Sequence, residues 1–231
     1  MGELVAEPED NSNNTENTEN GDNNGNNGEK GEPVADADVG VNMGEQVNDA
    51  IVTAKKDSQG AWYLYVTPTY SVYPINTDMI TFSGETRATA QFVVTDVREG
   101  RTYVKLVAVD AIETKALNLT DDPSFGGDRL DVVDDWRTMV EDGYLSVRFS
   151  TYWGKNAKYH DLRLFRLAGD DPYAVIIRQD SGGDAVNYKG DALVAFTLDG
   201  LPSTGGESVT LTLYYDSLDG GRKTKEFAFK N

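Results

Sequence analysis

Side chains able to do chemistry are few. Cysteine is absent and His160 is the only imidazole in 231 residues. Disulfides, thiolate metal sites, iron–sulfur clusters and cysteine nucleophiles are therefore excluded, as is a zinc site built from several histidines of one chain. His160 precedes Asp161, but strand neighbours point to opposite faces, so that carboxylate is badly placed to orient the ring. A polar residue at a strand start is expected there. Neither a Gly-x-Ser-x-Gly elbow nor a phosphate-cradling glycine loop occurs. Glycoside hydrolysis needs two carboxyls facing across a cleft. Glu85, Glu99, Glu113, Glu141, Glu207 and Glu226 fall mostly beside turns or strand ends, and no spacing marks a pair. Asp121, Asp122, Asp128, Asp131, Asp134 and Asp135 crowd one stretch without the alternating Asp pattern and distal Glu of a calcium loop, so solvated charge and helix capping are expected of them. The residue types point to no catalytic, metal or cofactor site, hence to a protein that is not an enzyme.

Aromatic residues are the more informative surplus. Tyr63 and Tyr65 project from the strand face opposite Trp62 and Leu64, Tyr70 and Tyr73 follow in Tyr70-Ser71-Val72-Tyr73-Pro74, and Tyr152-Trp153 ends a later strand. Exposed rings of this kind anchor a protein partner or stack on a sugar. The structural alternative is that they seal one folded unit against the next. A carbohydrate-binding module would require Tyr63, Tyr65, Tyr152 and Trp153 in one coplanar exposed strip.

The elements that must carry these rings are strands. Residues 1–40 hold eleven acids against Lys30 alone, a net of −10 out of the whole chain's −18. Asn11 to Asn27 contains nine Asn and no apolar side chain, so residues 1–42 are expected to be a disordered acidic tether with a root-mean-square reach of about 35 Å. From residue 45 to 118, alternation such as Ala88, Ala90, Phe92 and Val94 against Thr89, Gln91 and Thr95 predicts half-buried strands. Turns at Ser58-Gln59-Gly60 and Arg98-Glu99-Gly100 fold them into a five-stranded barrel-like unit. Residues 119–140, broken by Pro123 and Gly126-Gly127, read as a connector, with Leu130, Val133 and Trp136 spaced for a short helical turn. From 141 to 231, six or so alternating strands separated by Gly and Asp turns predict an antiparallel β-sandwich. The fold class is thus all-β. The remaining 191 residues keep 28 acids and 20 bases, a poor surface for a phosphate backbone, so no nucleic-acid partner is expected. No apolar run approaches the ~20 residues of a membrane-spanning helix.

Ile112-Glu113-Thr114-Lys115, Asp142-Gly143-Tyr144-Leu145-Ser146-Val147, Val175-Ile176-Ile177-Arg178-Gln179 with Gly183-Asp184, Val194-Ala195-Phe196-Thr197-Leu198 and Gly84-Glu85-Thr86-Arg87 together make the chain from about 45 to 231 resemble the NigD-like family of bacterial lipoproteins. The resemblance implies an N-terminal OB-like barrel and a C-terminal β-sandwich held at the Gram-negative envelope by a lipidated cysteine. It also implies a surface-exposed accessory module with an outer-membrane or secreted protein partner, bacteriocin immunity being suggested by the gene association that named the family. It supplies no catalytic residue and no small-molecule ligand. Family sequences typically carry His where Gln179 stands here, which speaks further against a metal. A basic leader, apolar core and lipobox cysteine are not present, so the sequence is expected to begin at the mature N-terminus, with Met1 at or in place of the lipidated position. The early acids Glu3, Glu7, Glu9 and Asp10 then resemble a surface-export signal.

Overall fold

The computed structural model describes residues 43–231. The tether expected over 1–42 lies outside the described residues. The barrel is built from β1 (Gln46–Lys56), β2 (Trp62–Thr67), β3 (Tyr70–Pro74), β4 (Thr86–Arg98) and β5 (Arg101–Ala111), with a 3-10 turn at Thr77–Met79. It closes in the order β1-β2-β3-β5-β4. Alternation decides which side chains line it: Val52, Ala54, Leu64, Val72, Phe92 and Val104 meet inside, while the intervening residues face out. The β4–β5 hairpin turns on Glu99 and Gly100, with φ of 52° and 71°, the two positive angles that a two-residue hairpin turn of matching twist requires. The pairing of β3 with β5 is parallel.

Nine further strands make the sandwich: β6 (Thr114–Ala116), β7 (Asp131–Val132), β8 (Met139–Glu141), β9 (Tyr144–Trp153), β10 (Asp161–Arg166), β11 (Ala174–Asp180), β12 (Tyr188–Thr197), β13 (Val209–Asp216) and β14 (Arg222–Phe229). One sheet runs β10-β11-β13-β14 and the other β6-β12-β9-β7, with β8 also on β9. Val147, Phe149, Leu164, Ile177, Phe196 and Leu211 fill the space between them. Most pairings are antiparallel, but β6 with β12 and β11 with β13 are parallel.

Residues 119–140 form no helical turn. Asp131–Val132 and Met139–Glu141 instead pair with β9, and Leu130 is buried in the sandwich core. The six aspartates explain why. Asp121 holds Arg178, Asp128 accepts from the Ser181 N–H, Asp131 accepts from Ser217, and Asp135 and Asp134 pair with Arg148 and Lys225. Asp122 accepts from Ser124. Each carboxylate fixes a turn or cation at a different point, which pins the chain along the sheet where a helix would carry them on one short rod.

Barrel and sandwich belong to one compact unit. Ile51, Ile112 and Ala195, with Met139 and Leu193 against them, make an apolar seam. Beside it lies a polar joint around Arg87, which is fully buried. Arg87 donates from Nε to Ser146 Oγ at 3.1 Å and from Nη1 to Thr53 Oγ1 at 2.9 Å. Lys55 meets Asp142 at 2.9 Å, and the Tyr144 hydroxyl donates to Glu85 at 2.9 Å.

Candidate functional site: an outward tyrosine–arginine row on the barrel

Leu64 pairs with Val72, both inside the barrel, so Tyr63 and Tyr73 one step along are neighbours outside it. Tyr73 pairs directly with Tyr103 across the parallel β3–β5 ladder. The three rings form a row over three strands, with centroids 6.1 Å apart from Tyr63 to Tyr73 and 5.9 Å from Tyr73 to Tyr103. The β4–β5 hairpin brings its two arginines over the same row: Arg101 lies 4.7 Å from the Tyr73 centroid and Arg98 4.4 Å from that of Tyr103. All three rings are half-buried and both arginines exposed. Arg98 also faces Asp96 at 3.4 Å. Tyrosine and arginine are the residue types that carry most binding energy where proteins meet, and here each guanidinium is stacked before any partner arrives.

The other aromatic candidates are placed elsewhere. Tyr65 faces the sandwich: its hydroxyl donates to Glu141 at 3.1 Å, with Lys55 5.5 Å from its ring. Burial, reinforced by the Glu141 charge, pushes its phenol up to about 12. Tyr70 packs on the barrel core with its hydroxyl buried. Tyr152 and Trp153 point to opposite faces of β9. Tyr152 is exposed beside a cavity of about 400 Å³ lined also by Thr151, Gln179 and Asp184. Trp153 turns inward, bonds the Gly190 carbonyl through Nε1 at 3.1 Å and packs on the sandwich core. Tyr63, Tyr65, Tyr152 and Trp153 therefore do not share a strip, and only Tyr63 and Tyr73 of the six candidates enter the row.

His160 stands immediately before β10, buried, with its ring stacked on Trp153 at 4.1 Å and 17°. Asp161 does not touch it, being engaged with Lys115 and Arg163. The carboxylate beside the ring is Asp184, 3.3 Å from Nε2. Gln179 Nε2 lies 3.0 Å from His160 Nδ1 and donates to Thr151 Oγ1 at 3.0 Å. The Asp184 carboxyl, held chiefly by the Gly154 N–H and then by those of Lys158 and Ala185, falls to about 2. This chain of bonds locks the Gly154–His160 loop to the sandwich end. Glu85, Glu141 and Asp142 do converge at the polar joint, but on Tyr144, Tyr65 and Lys55 respectively. Among the described residues, no group of three His, Asp or Glu side chains is arranged to hold a metal ion.

Nothing in the sequence pattern singles out Tyr103, Arg98 or Arg101. The alternation of β5 puts Tyr103 and Arg101 on one face without marking them as a site. Their meeting with Tyr73 follows from a parallel pairing between strands distant in sequence.

A closed five-stranded barrel carrying this row, docked on a two-sheet sandwich, defines a two-part all-β protein. The family model of the NigD-like C-terminal beta sandwich domain matches residues 112–229, and the chain belongs to the NigD-like family. No curated protein gives a match. Solved structures share the fold. A protein described as toxin-related from Parabacteroides distasonis is 24% identical with a TM-score of 0.69, covering 80% of this chain and 94% of its own. A NigD-like immunity protein from Bacteroides caccae is 17% identical with a TM-score of 0.58, covering 79% and 97%. A protein described as a lipoprotein from Bacteroides fragilis is 12% identical with a TM-score of 0.58, covering 81% and 99%. At these identities the likeness is one of fold.

Proposed function

We propose that the chain is a non-enzymatic protein of the cell envelope, tethered by an N-terminal lipid at the outer-membrane surface, that recognises an outer-membrane or secreted protein through the barrel row. The observation that carries this reading is the Tyr63–Tyr73–Tyr103 row with Arg98 and Arg101 stacked on it. Five aromatic and cationic side chains are pre-ordered on one face, so little rotamer entropy is lost when a partner covers them. On a chain of net charge −18, that face offers guanidinium donors to acidic and aromatic groups of the partner. The family, a neighbour described as a lipoprotein and a neighbour named as an immunity protein support the envelope setting, bacteriocin immunity being one such role. The sugar-binding alternative loses its support with the dispersal of the four rings that it needs.

The test is quantitative affinity isolation of the native protein, Tyr73→Ala and Arg101→Glu from gently crosslinked cells. One co-isolated envelope protein that is reproducibly depleted at least tenfold in both variants is expected. A set of neighbours unchanged by either substitution overturns the reading.

A further inference from the structure

A second surface lies on the sandwich, away from the barrel row. Strand β12 pairs with β9 along its whole length, but on its other side β6 covers only Ala195–Thr197. The Ala195 N–H points to that side, donating to the Glu113 carbonyl at 2.9 Å. By the alternation of a ladder, the backbone N–H and C=O groups of Lys189, Asp191 and Leu193 point the same way. Among the described residues no strand takes them up.

Against this open stretch sits a cleft of about 190 Å³ that reaches between the two sheets. Its floor is Phe149, Leu162 and Val194, and the stacked Trp153–His160 pair forms one wall. Space exists there because Ala192, the inward residue of the open stretch that lines the cleft, is small, and Gly190 beside it makes room for the Trp153 wall. A Cβ on Gly190 would stand 3.1 Å from Trp153 Cδ1. The rim is Tyr159, 64% exposed, which donates to Glu113. Edge strands usually carry charge to repel added strands; here the charges of Lys189 and Asp191 fall on the outer face, leaving the inner face apolar.

We propose that the Lys189–Leu193 edge of β12 accepts an extended peptide segment of a partner protein as an added strand, continuing the line that β6 begins. Main-chain bonds to the three free backbone positions supply affinity. Every second side chain of the segment faces the cleft, which selects one branched aliphatic or aromatic residue at that position. The surface shares no residue with the barrel row and stands whether or not the row binds.

The probe is an array of nine-residue peptides in which Thr alternates with Val, Leu, Ile, Phe or Asp. Binding by the full chain to the apolar members and not to the Asp member is expected, with slowed amide exchange at Lys189, Asp191 and Leu193. Ala192→Leu, which fills the cleft, and Lys189→Pro, which removes an edge donor without breaking a β9 bond, should each weaken binding at least tenfold; Arg101→Glu should not change it. Lys189→Pro keeps the test decisive if Ala192→Leu disturbs the sandwich core. Absence of any apolar-dependent binding, binding indifferent to both β12 substitutions, or protection confined to the barrel row would each overturn the inference.

Discussion

Replacing Arg87 with alanine tests how barrel and sandwich are held together. The guanidinium is fully buried, and burial lowers its pKa while the charges of Asp142 and Glu141 oppose that fall. The substitution deletes two hydrogen bonds from a charged donor, to Ser146 and Thr53, each worth about 1.5–3 kcal/mol. It also strips a counter-charge from Asp142, whose Oδ2 is buried without a hydrogen-bond partner. Losing the two bonds costs about 3–6 kcal/mol, which for an m-value of about 2 kcal/mol/M lowers the urea midpoint by roughly 1.5–3 M. The assay is urea unfolding followed by tryptophan fluorescence and far-UV circular dichroism, run as a cycle with Asp142→Asn. Because Asp142 is then neutral, Arg87→Ala should cost less in that background, with a coupling of about 1–3 kcal/mol. A single-substitution cost below about 1 kcal/mol, or additivity within about 0.5 kcal/mol, refutes the reasoning.

Other consequences are equally open to measurement. Asp184, whose folded pKa is lowered to about 2, contributes stability that is complete above the unfolded carboxylate value of ~4 and is lost as pH falls through its folded value. Asp184→Asn should flatten the acid limb between those two pH values, and an unchanged limb would show that the loop is held otherwise. Tyr65, raised to about 12, contributes stability present below the unfolded phenol value of ~10 and lost between there and its folded value; in a spectrophotometric titration, Tyr65→Phe should remove a late-titrating phenol, and loss of an early one contradicts the joint geometry. Gly126 has φ +65°, and a Cβ there would lie 2.3 Å from the Gln179 carbonyl oxygen, whereas Gly205, at φ +63°, faces open space. Gly205→Ala should cost about 1–2 kcal/mol and Gly126→Ala distinctly more in thermal unfolding; equal costs would mean the 126–128 loop is not seated on β11.

What the sequence disclosed follows from what alternation can encode. Trp62-Tyr63-Leu64-Tyr65 and Ala88-Thr89-Ala90-Gln91-Phe92 report their inner and outer faces directly, because one side meets a core and the other does not, and so the barrel was legible. Glu99-Gly100 announced its hairpin through the positive φ angles it needs. Pairing between distant strands leaves no such mark. Tyr73 beside Tyr103, β6 beside β12 and Asp184 beside His160 are set by topology, and none could be read from spacing. Leu130, Val133 and Trp136 satisfied a helical period over two turns too short to stand alone, and the aspartates around them found separate partners on the sheet. Trp153 looked like an exposed strand end, yet its parity on β9 matches Phe149 and turns it inward.

A photo-crosslinking residue placed at Tyr73 in living cells tests most directly whether the barrel row meets a protein partner. A discrete crosslinked product to one envelope or secreted protein, absent when the same residue stands at exposed Glu226 on β14, is the predicted result. No product, or the same products from both positions, would contradict it.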